Sequence, residues 1–171
     1  NENWKSGLLP ILKSGIYYGE EYNANIIPKE TDGVTLLDFD KSFLIEHEID
    51  PVKELDPINV QEELKDDEGF TIYDFGQNVA GYVSIELSGK KDSKILIEHS
   101  EVLGLSSKNI QEKKCNHFEN ANFRSAAAKI EYTLSGNNIE KYKPHFTFMG
   151  FRYVRMKVLS GKVTLKNITS V

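Results

Sequence analysis

An all-β fold, an antiparallel sandwich with one long loop, is predicted by two features of this chain. Apolar residues recur at every second position through many short segments, the period of a strand that covers a core with one face. Compact turn signals punctuate those segments: Asp66-Asp67-Glu68-Gly69, Ser88-Gly89-Lys90, Ser135-Gly136-Asn137-Asn138 and Ser160-Gly161-Lys162. Short alternating strands separated by such turns are the pattern of antiparallel sandwiches.

The first thirty residues or so interrupt short apolar stretches with Gly7, Pro10, Gly15, Gly19 and Pro28. Such stretches do not make a sheet by themselves, so residues 1–30 read as the tail of a preceding domain or a linker, and 31–171 as the sandwich. Alternation then predicts strands at Phe43-Ile45-His47-Ile49, Ile58-Val60-Glu62-Leu64, Val83-Ile85-Leu87, Ile95-Ile97-His99, Ile130-Tyr132-Leu134 and Val163-Leu165. The run from Glu62 to Glu68 is a solvated strand end and turn. From Leu105 to Ala128 helix-permissive residues occur without a clean apolar stripe, which predicts a long loop with one helical turn.

Near the C-terminal end, Phe146-Thr147-Phe148-Met149-Gly150-Phe151-Arg152-Tyr153 runs into Val154-Arg155-Met156-Lys157-Val158. As one regular strand it places Phe146, Phe148, Gly150, Arg152, Val154, Met156 and Val158 on the core face, with Thr147, Met149, Phe151, Tyr153, Arg155 and Lys157 on a docking face. A bulge at Met149-Gly150 instead flips the register and brings Phe151 and Tyr153 into the core with Phe146. Both readings make this a central strand.

At 171 residues the chain is long enough to bury a core without disulfide staples. Its net charge of −5, with signs interspersed, leaves no basic stripe for nucleic acid. No apolar run approaches a membrane span and no charged-then-apolar leader opens the chain, so neither nucleic acid nor membrane is expected as a partner. The single Cys115 forms no internal disulfide and reads as an exposed thiol, which favours a bacterial cytoplasm over secretion. Asn1-Glu2-Asn3-Trp4 starts without Met and Asn167 to Val171 still reads as a strand, so both ends are expected to be cuts from a longer protein.

Tyr73-Asp74-Phe75-Gly76-Gln77-Asn78-Val79-Ala80-Gly81 sets a carboxylate and two amides among glycines and aromatics. Asp74, Gln77 and Asn78 match the hydroxyls of a sugar, and an aromatic such as Phe151 or Tyr153 offers a ring face. The same residues also suit a tight turn, in which Asp and Asn bond the backbone and glycine supplies positive φ. Glu86, Glu98 and Glu101 raise the question of a glycosidase acid and base. Glu101 shares a face with Ile95, Ile97 and His99, which predicts a buried acid paired with Arg124, Arg152 or His99. His47, His99, His117 and His145 lack metal-pair spacing, and no nucleophile elbow, phosphate loop or dinucleotide motif occurs. No catalytic residue, metal or cofactor is expected.

Taken in order, several segments resemble the concanavalin-like sandwich region of bacterial α-L-rhamnosidases. The residues that carry the resemblance are Tyr73 to Val83, Glu98-His99-Ser100-Glu101-Val102-Leu103, Asn122 to Ala128 with Glu131-Tyr132-Thr133-Leu134-Ser135-Gly136, and Pro144 to Val154. Upstream, Trp4, Gly7 to Ile11 and Gly19-Glu20-Glu21-Tyr22-Asn23-Ala24 are similar to the end of the family's N-terminal domain. Met149 stands where the family usually has His, Asn23 and Asn25 where Asp and Arg are usual, and Ile130-Glu131 where Thr-Asp is common. The resemblance implies a non-catalytic sandwich ahead of a helical barrel that carries the acids of an inverting hydrolysis of terminal L-rhamnose. It implies as partner the chain's own C-terminal catalytic domain, with a rhamnose-containing glycan as the alternative.

Overall fold

Strand formation follows the alternation wherever a neighbouring strand exists to receive it. The computed structural model describes residues 4–106 and 114–171. In chain order its strands are β1 (Lys5–Leu8), β2 (Ile11–Gly15), β3 (Gly19–Asn23), β4 (Lys29–Gly33), β5 (Ile58–Asn59), β6 (Glu62–Lys65), β7 (Thr71–Gly81), β8 (Val83–Gly89), β9 (Lys94–Ser100), β10 (Val102–Gly104), β11 (His117–Glu119), β12 (Lys129–Thr133), β13 (Glu140–Tyr142), β14 (Met149–Ser160) and β15 (Val163–Ser170). A seven-stranded sheet, β2-β3-β12-β9-β14-β7-β6, faces a four-stranded sheet, β13-β8-β15-β5. β1 with β4 and β10 with β11 form two-stranded ribbons.

The core lies between the two larger sheets. Val83, Ile85 and Leu87 of β8 meet Ile95 and Ile97 of β9, Ile130 and Tyr132 of β12, and Phe75, Phe151 and Val154 of the long strands. Each of these side chains is almost wholly withdrawn from water, which contributes about 1.5–3 kcal/mol apiece. His99 lies among them. Its Nδ1–H donates to the Ala128 carbonyl at 2.7 Å, and its ring meets Phe151 edge-on at 4.9 Å.

Several expectations are corrected. Phe43 to Ile49 forms no strand: a 3-10 turn at Lys41–Phe43 opens an exposed stretch that pairs with no described strand. Ile58 to Leu64 is two strands, since the chain changes sheets between β5 and β6, with the Gln61 amide donating to the Asp74 carbonyl at 2.8 Å. Phe146 and Phe148 precede β14 and are exposed, while Met149 and Phe151 fill the core. The register break falls not at Met149-Gly150 but at Arg152, so Phe151 and Val154 both point inward and Tyr153 is only half-buried.

Arg155, expected on a docking face, is buried beneath the β6–β7 turn. Its guanidinium reaches Asp66 at 2.6 Å and Glu98 at 2.9 Å and lies over the Phe118 ring at 4.5 Å. Opposite charges and an aromatic plane hold it there, so this patch of the outer face is closed by the chain itself. In the long loop, a 3-10 turn at Ala121–Phe123 supplies the expected helical turn, and Cys115 is exposed. The helix-permissive stretch at 109–118 lies partly outside the described residues.

Residues 11–23 enter the seven-stranded sheet. β3 runs parallel to β12, Gly19 opposite Lys129 through Asn23 opposite Thr133. Gly19 has φ +89°, and a Cβ there would sit 1.8 Å from the Lys129 carbonyl oxygen. Only glycine permits that approach. The Asn25 side-chain amide donates to Asn23 at 3.1 Å, to the Leu134 carbonyl at 3.0 Å and to the Asp92 carboxylate at 3.1 Å, a lock at the end of β12.

Gly19→Ala is expected to lower the unfolding free energy by about 2–3 kcal/mol, read by urea denaturation, because both conformation and space are denied to a side chain. Burial holds the His99 pKa down from 6.5 to about 4, so the folded ring stays neutral while the unfolded one charges. The stability this confers is complete above pH 6.5 and is lost as pH falls towards 4, at about 1.4 kcal/mol per pH unit. Urea titrations at pH 7 and pH 4.5 are expected to show that loss in the native chain. His99→Gln should show a shallower one; an equal loss in both would contradict the assignment.

Candidate functional site

β7 and β14 pair as Phe151 with Val79 and then as Tyr153 with Asp74. Phe75, Gly76, Gln77 and Asn78 therefore bulge out opposite Arg152 alone. Gly76 turns the chain with φ +79°. Asp74, buried on this loop, accepts from the Gly76 amide at 2.6 Å and from Arg152 through both oxygens, at 2.8 Å from Nε and 2.9 Å from Nη2. The forked guanidinium matches the carboxylate plane, and the Asp-to-amide bond closes a tight turn. Arg152 hydrogen bonding, opposed by desolvation and assisted by the Gly76 amide, holds the Asp74 carboxyl below its ordinary 3.8.

Around this clamp the sequence-derived candidates separate. Gln77 and Asn78 are exposed at the loop tip, and Asn78 Nδ2 lies 3.4 Å from Glu101. Tyr153 lies beside Arg152, with the guanidinium 5.0 Å from its ring centre. Phe151 is fully buried and meets Phe75 edge-on at 5.8 Å. Its ring is thus part of the core and has no face for a ligand.

The acid and donor set expected around Glu101 is not assembled. Glu101 is half-buried rather than buried, Arg152 is taken by Asp74, His99 is taken by Ala128, and Arg124 is exposed on the 3-10 turn. The reason is local: β9 ends at Ser100, so the alternation that buries Ile95, Ile97 and His99 does not extend to Glu101. Glu98 pairs with Arg155 and Lys157, and Glu86 with Lys141. Met149 packs in the core opposite Gly81, so the position where the resemblance leads one to expect histidine has no polar group.

A second constellation was not singled out from sequence. At the β3, β12 and β13 edge, Tyr22 stacks on Tyr132 at 5.6 Å and on His145 at 5.5 Å. Buried Glu20 accepts from the Tyr142 hydroxyl at 2.8 Å and from the His145 amide at 2.9 Å, and Tyr132 donates to buried Glu140 at 2.9 Å. Burial first, then the neighbouring carboxylate, pushes both phenols, Tyr132 and Tyr142, well above the usual tyrosine range. Above the stack opens a groove of about 810 Å³, walled by Pro10, Ile11, Ile26, Ile139 and Phe146. Only the parallel pairing of residues 19–23 with 129–133 brings these groups together, and no local pattern encodes it. Among the described residues, no group of three or more His, Cys, Asp or Glu side chains is arranged to hold a metal ion.

Replacing Asp74 with Asn is expected to cost about 1–2 kcal/mol at pH 7, the lower part of the range for charged hydrogen bonds because Arg152 is half-exposed to water. The depressed carboxyl confers stability that is complete above pH 3.8 and is lost as pH falls through the lower folded value. The Asn variant should therefore lack this part of the acid limb below pH 3.8, which urea titrations at pH 7, 4 and 3 would reveal.

The model of the family described as bacterial alpha-L-rhamnosidase concanavalin-like domain matches residues 64–171. An alpha-L-rhamnosidase of Streptomyces avermitilis is 33% identical over 98% of this chain and 16% of its own length; one of Formosa agariphila is 28% identical over 100% and 19%. Among solved structures, the native rhamnosidase from Aspergillus terreus superposes with TM-score 0.80 at 26% identity, covering 100% of this chain and 20% of that one. The Streptomyces avermitilis α-L-rhamnosidase complexed with L-rhamnose gives TM-score 0.80 at 30% identity, covering 99% and 17%. The chain thus spans about a sixth to a fifth of the length of the relatives it matches. With the sandwich, its ordered motifs and the family match in agreement, this chain belongs to the bacterial α-L-rhamnosidase concanavalin-like domain family.

Proposed function

We propose that this chain is the non-catalytic accessory sandwich of a longer α-L-rhamnosidase, and that it supports and packs against the C-terminal catalytic part that hydrolyses terminal L-rhamnose. The observation that carries this is one of proportion: 98–100% of the chain is matched in relatives of which it makes up 16–19%. The internal chemistry is consistent with it. Asp74, Glu98 and Glu140 are each engaged by donors of the same fold, and an acid already clamped in a bidentate pair is poorly placed to move protons.

A sugar-binding role is the second reading, favoured by the exposed Gln77 and Asn78 at the loop tip. Amide NMR of the chain titrated with L-rhamnose to high millimolar concentration separates the two. Shifts confined to Asp74 to Asn78 would favour binding, and their absence favours support.

In the full-length parent, Glu101→Gln is expected to leave kcat on an aryl α-L-rhamnoside within about twofold of the native value, since no step of the hydrolysis runs through this chain. Turnover by the 171-residue chain alone, abolished by that substitution, would overturn the accessory role.

A further inference from the structure

Between β4 and β5, residues 34–57 contain no strand, and each of them is exposed. The stretch is nonetheless rich in large apolar side chains. Leu37 is 83% exposed, Phe43 76%, Ile45 84%, Val52 98% and Leu55 81%. Scattered exposed apolar residues are ordinary, but a continuous run of this kind marks a surface that something covers. The segment is held at both ends: β4 pairs with β1, and Glu54 accepts from Lys143 at 2.5 Å and from the Tyr82 hydroxyl before the chain enters β5.

Charge narrows the choice of occupant. Asp38, Asp40, Glu46, Glu48, Asp50 and Asp56 stand among the apolar residues against Lys41 and Lys53. A second copy would bring the same acidic strip against itself, which disfavours self-association. A face with apolar pockets and a lysine and arginine rim is complementary. The stretch is about two dozen residues, near the roughly 20–30 per side of an ordinary stable interface. Moreover, four-fifths or more of each matched relative lies outside the part equivalent to this chain, while nearly all of this chain, and hence nearly all of this segment, is matched within them.

We propose that residues 34–57 form a docking strap on which the catalytic part of the same polypeptide sits, inserting Leu37, Phe43 and Ile45 into apolar pockets rimmed by basic side chains. This rests on the accessory role and assigns its contact surface.

The test uses the full-length parent. A photoreactive p-benzoylphenylalanine in place of Ile45 is cross-linked and the joined peptides are identified, while hydroxyl-radical footprinting measures side-chain accessibility in the unmodified protein. Cross-links to peptides of the catalytic part, with Phe43 and Leu37 oxidised several-fold more slowly than exposed Tyr17, are expected. Cross-links between copies, cross-links to a non-catalytic part, or fully accessible Phe43 and Leu37 would overturn the proposal. If the catalytic part is reached only from other faces, the strap falls and the accessory role stands; hydrolysis by the 171-residue chain alone removes that role itself.

Discussion

The clamp between Asp74 and Arg152 resolves a geometric conflict in the centre of the larger sheet. β14 pairs with β9 along one half and runs past the end of β9 along the other, and both halves must present apolar side chains to the same core. A regular strand of period two does this with one parity, yet Phe151 and Val154 are of opposite parity and both are buried. The change of phase requires an irregularity, and here β7 supplies it by looping out between Asp74 and Val79. A loose loop would leave the buried Asp74 carboxylate without partners. The carboxylate that takes the Gly76 amide and both arms of Arg152 fixes the loop in a single shape.

A second buried carboxylate performs the corresponding task at the sheet edge. Glu20, on a strand that reaches the sheet through parallel pairing with β12, takes the Tyr142 hydroxyl from the opposite sheet and the His145 amide from the approach to β14. One side chain thus links the N-terminal strands, the smaller sheet and the segment that leads into the central strand. The stacked rings of Tyr22, Tyr132 and His145 shield this linkage, and burial in such surroundings strengthens each bond. It also explains why the Phe146 region leaves the core: the backbone at His145 is already committed to Glu20, and β14 begins only at Met149.

What the sequence made legible follows from the same physics. Val83-Ile85-Leu87, Ile95-Ile97-His99 and Ile130-Tyr132-Leu134 were readable because each lies in the interior of a sheet, where alternation is enforced from both sides. Phe43 to Ile49 shows the same alternation but pairs with no described strand, so alternation by itself does not make a strand. Turn chemistry was equally local and readable at Asp66 to Gly69 and Ser160 to Lys162. The register change at Arg152 and the meeting of Glu20 with Tyr142 depend on residues 78 and 122 positions apart, and local periodicity carries no information about either. Asp74 was recognisable as a special position, but whether its carboxylate faced a ligand or its own arginine was decided only by that distant pairing.

These contacts bear on function through what they leave free. Several prominent polar groups, the carboxylates of Asp74, Glu20, Glu140 and Asp66 and the guanidinium of Arg155, already have partners within this fold. Reactive chemistry needs a polar group whose best partner is the substrate or its transition state, and groups saturated in the resting fold are poorly suited to that. Large apolar side chains, by contrast, stand exposed along residues 34–57 and at Phe146 and Phe148. A domain with internally satisfied charges and outward-facing apolar residues has the physical profile of a component that associates. In the proposed accessory role, the catalytic part of the same polypeptide would meet that demand for burial.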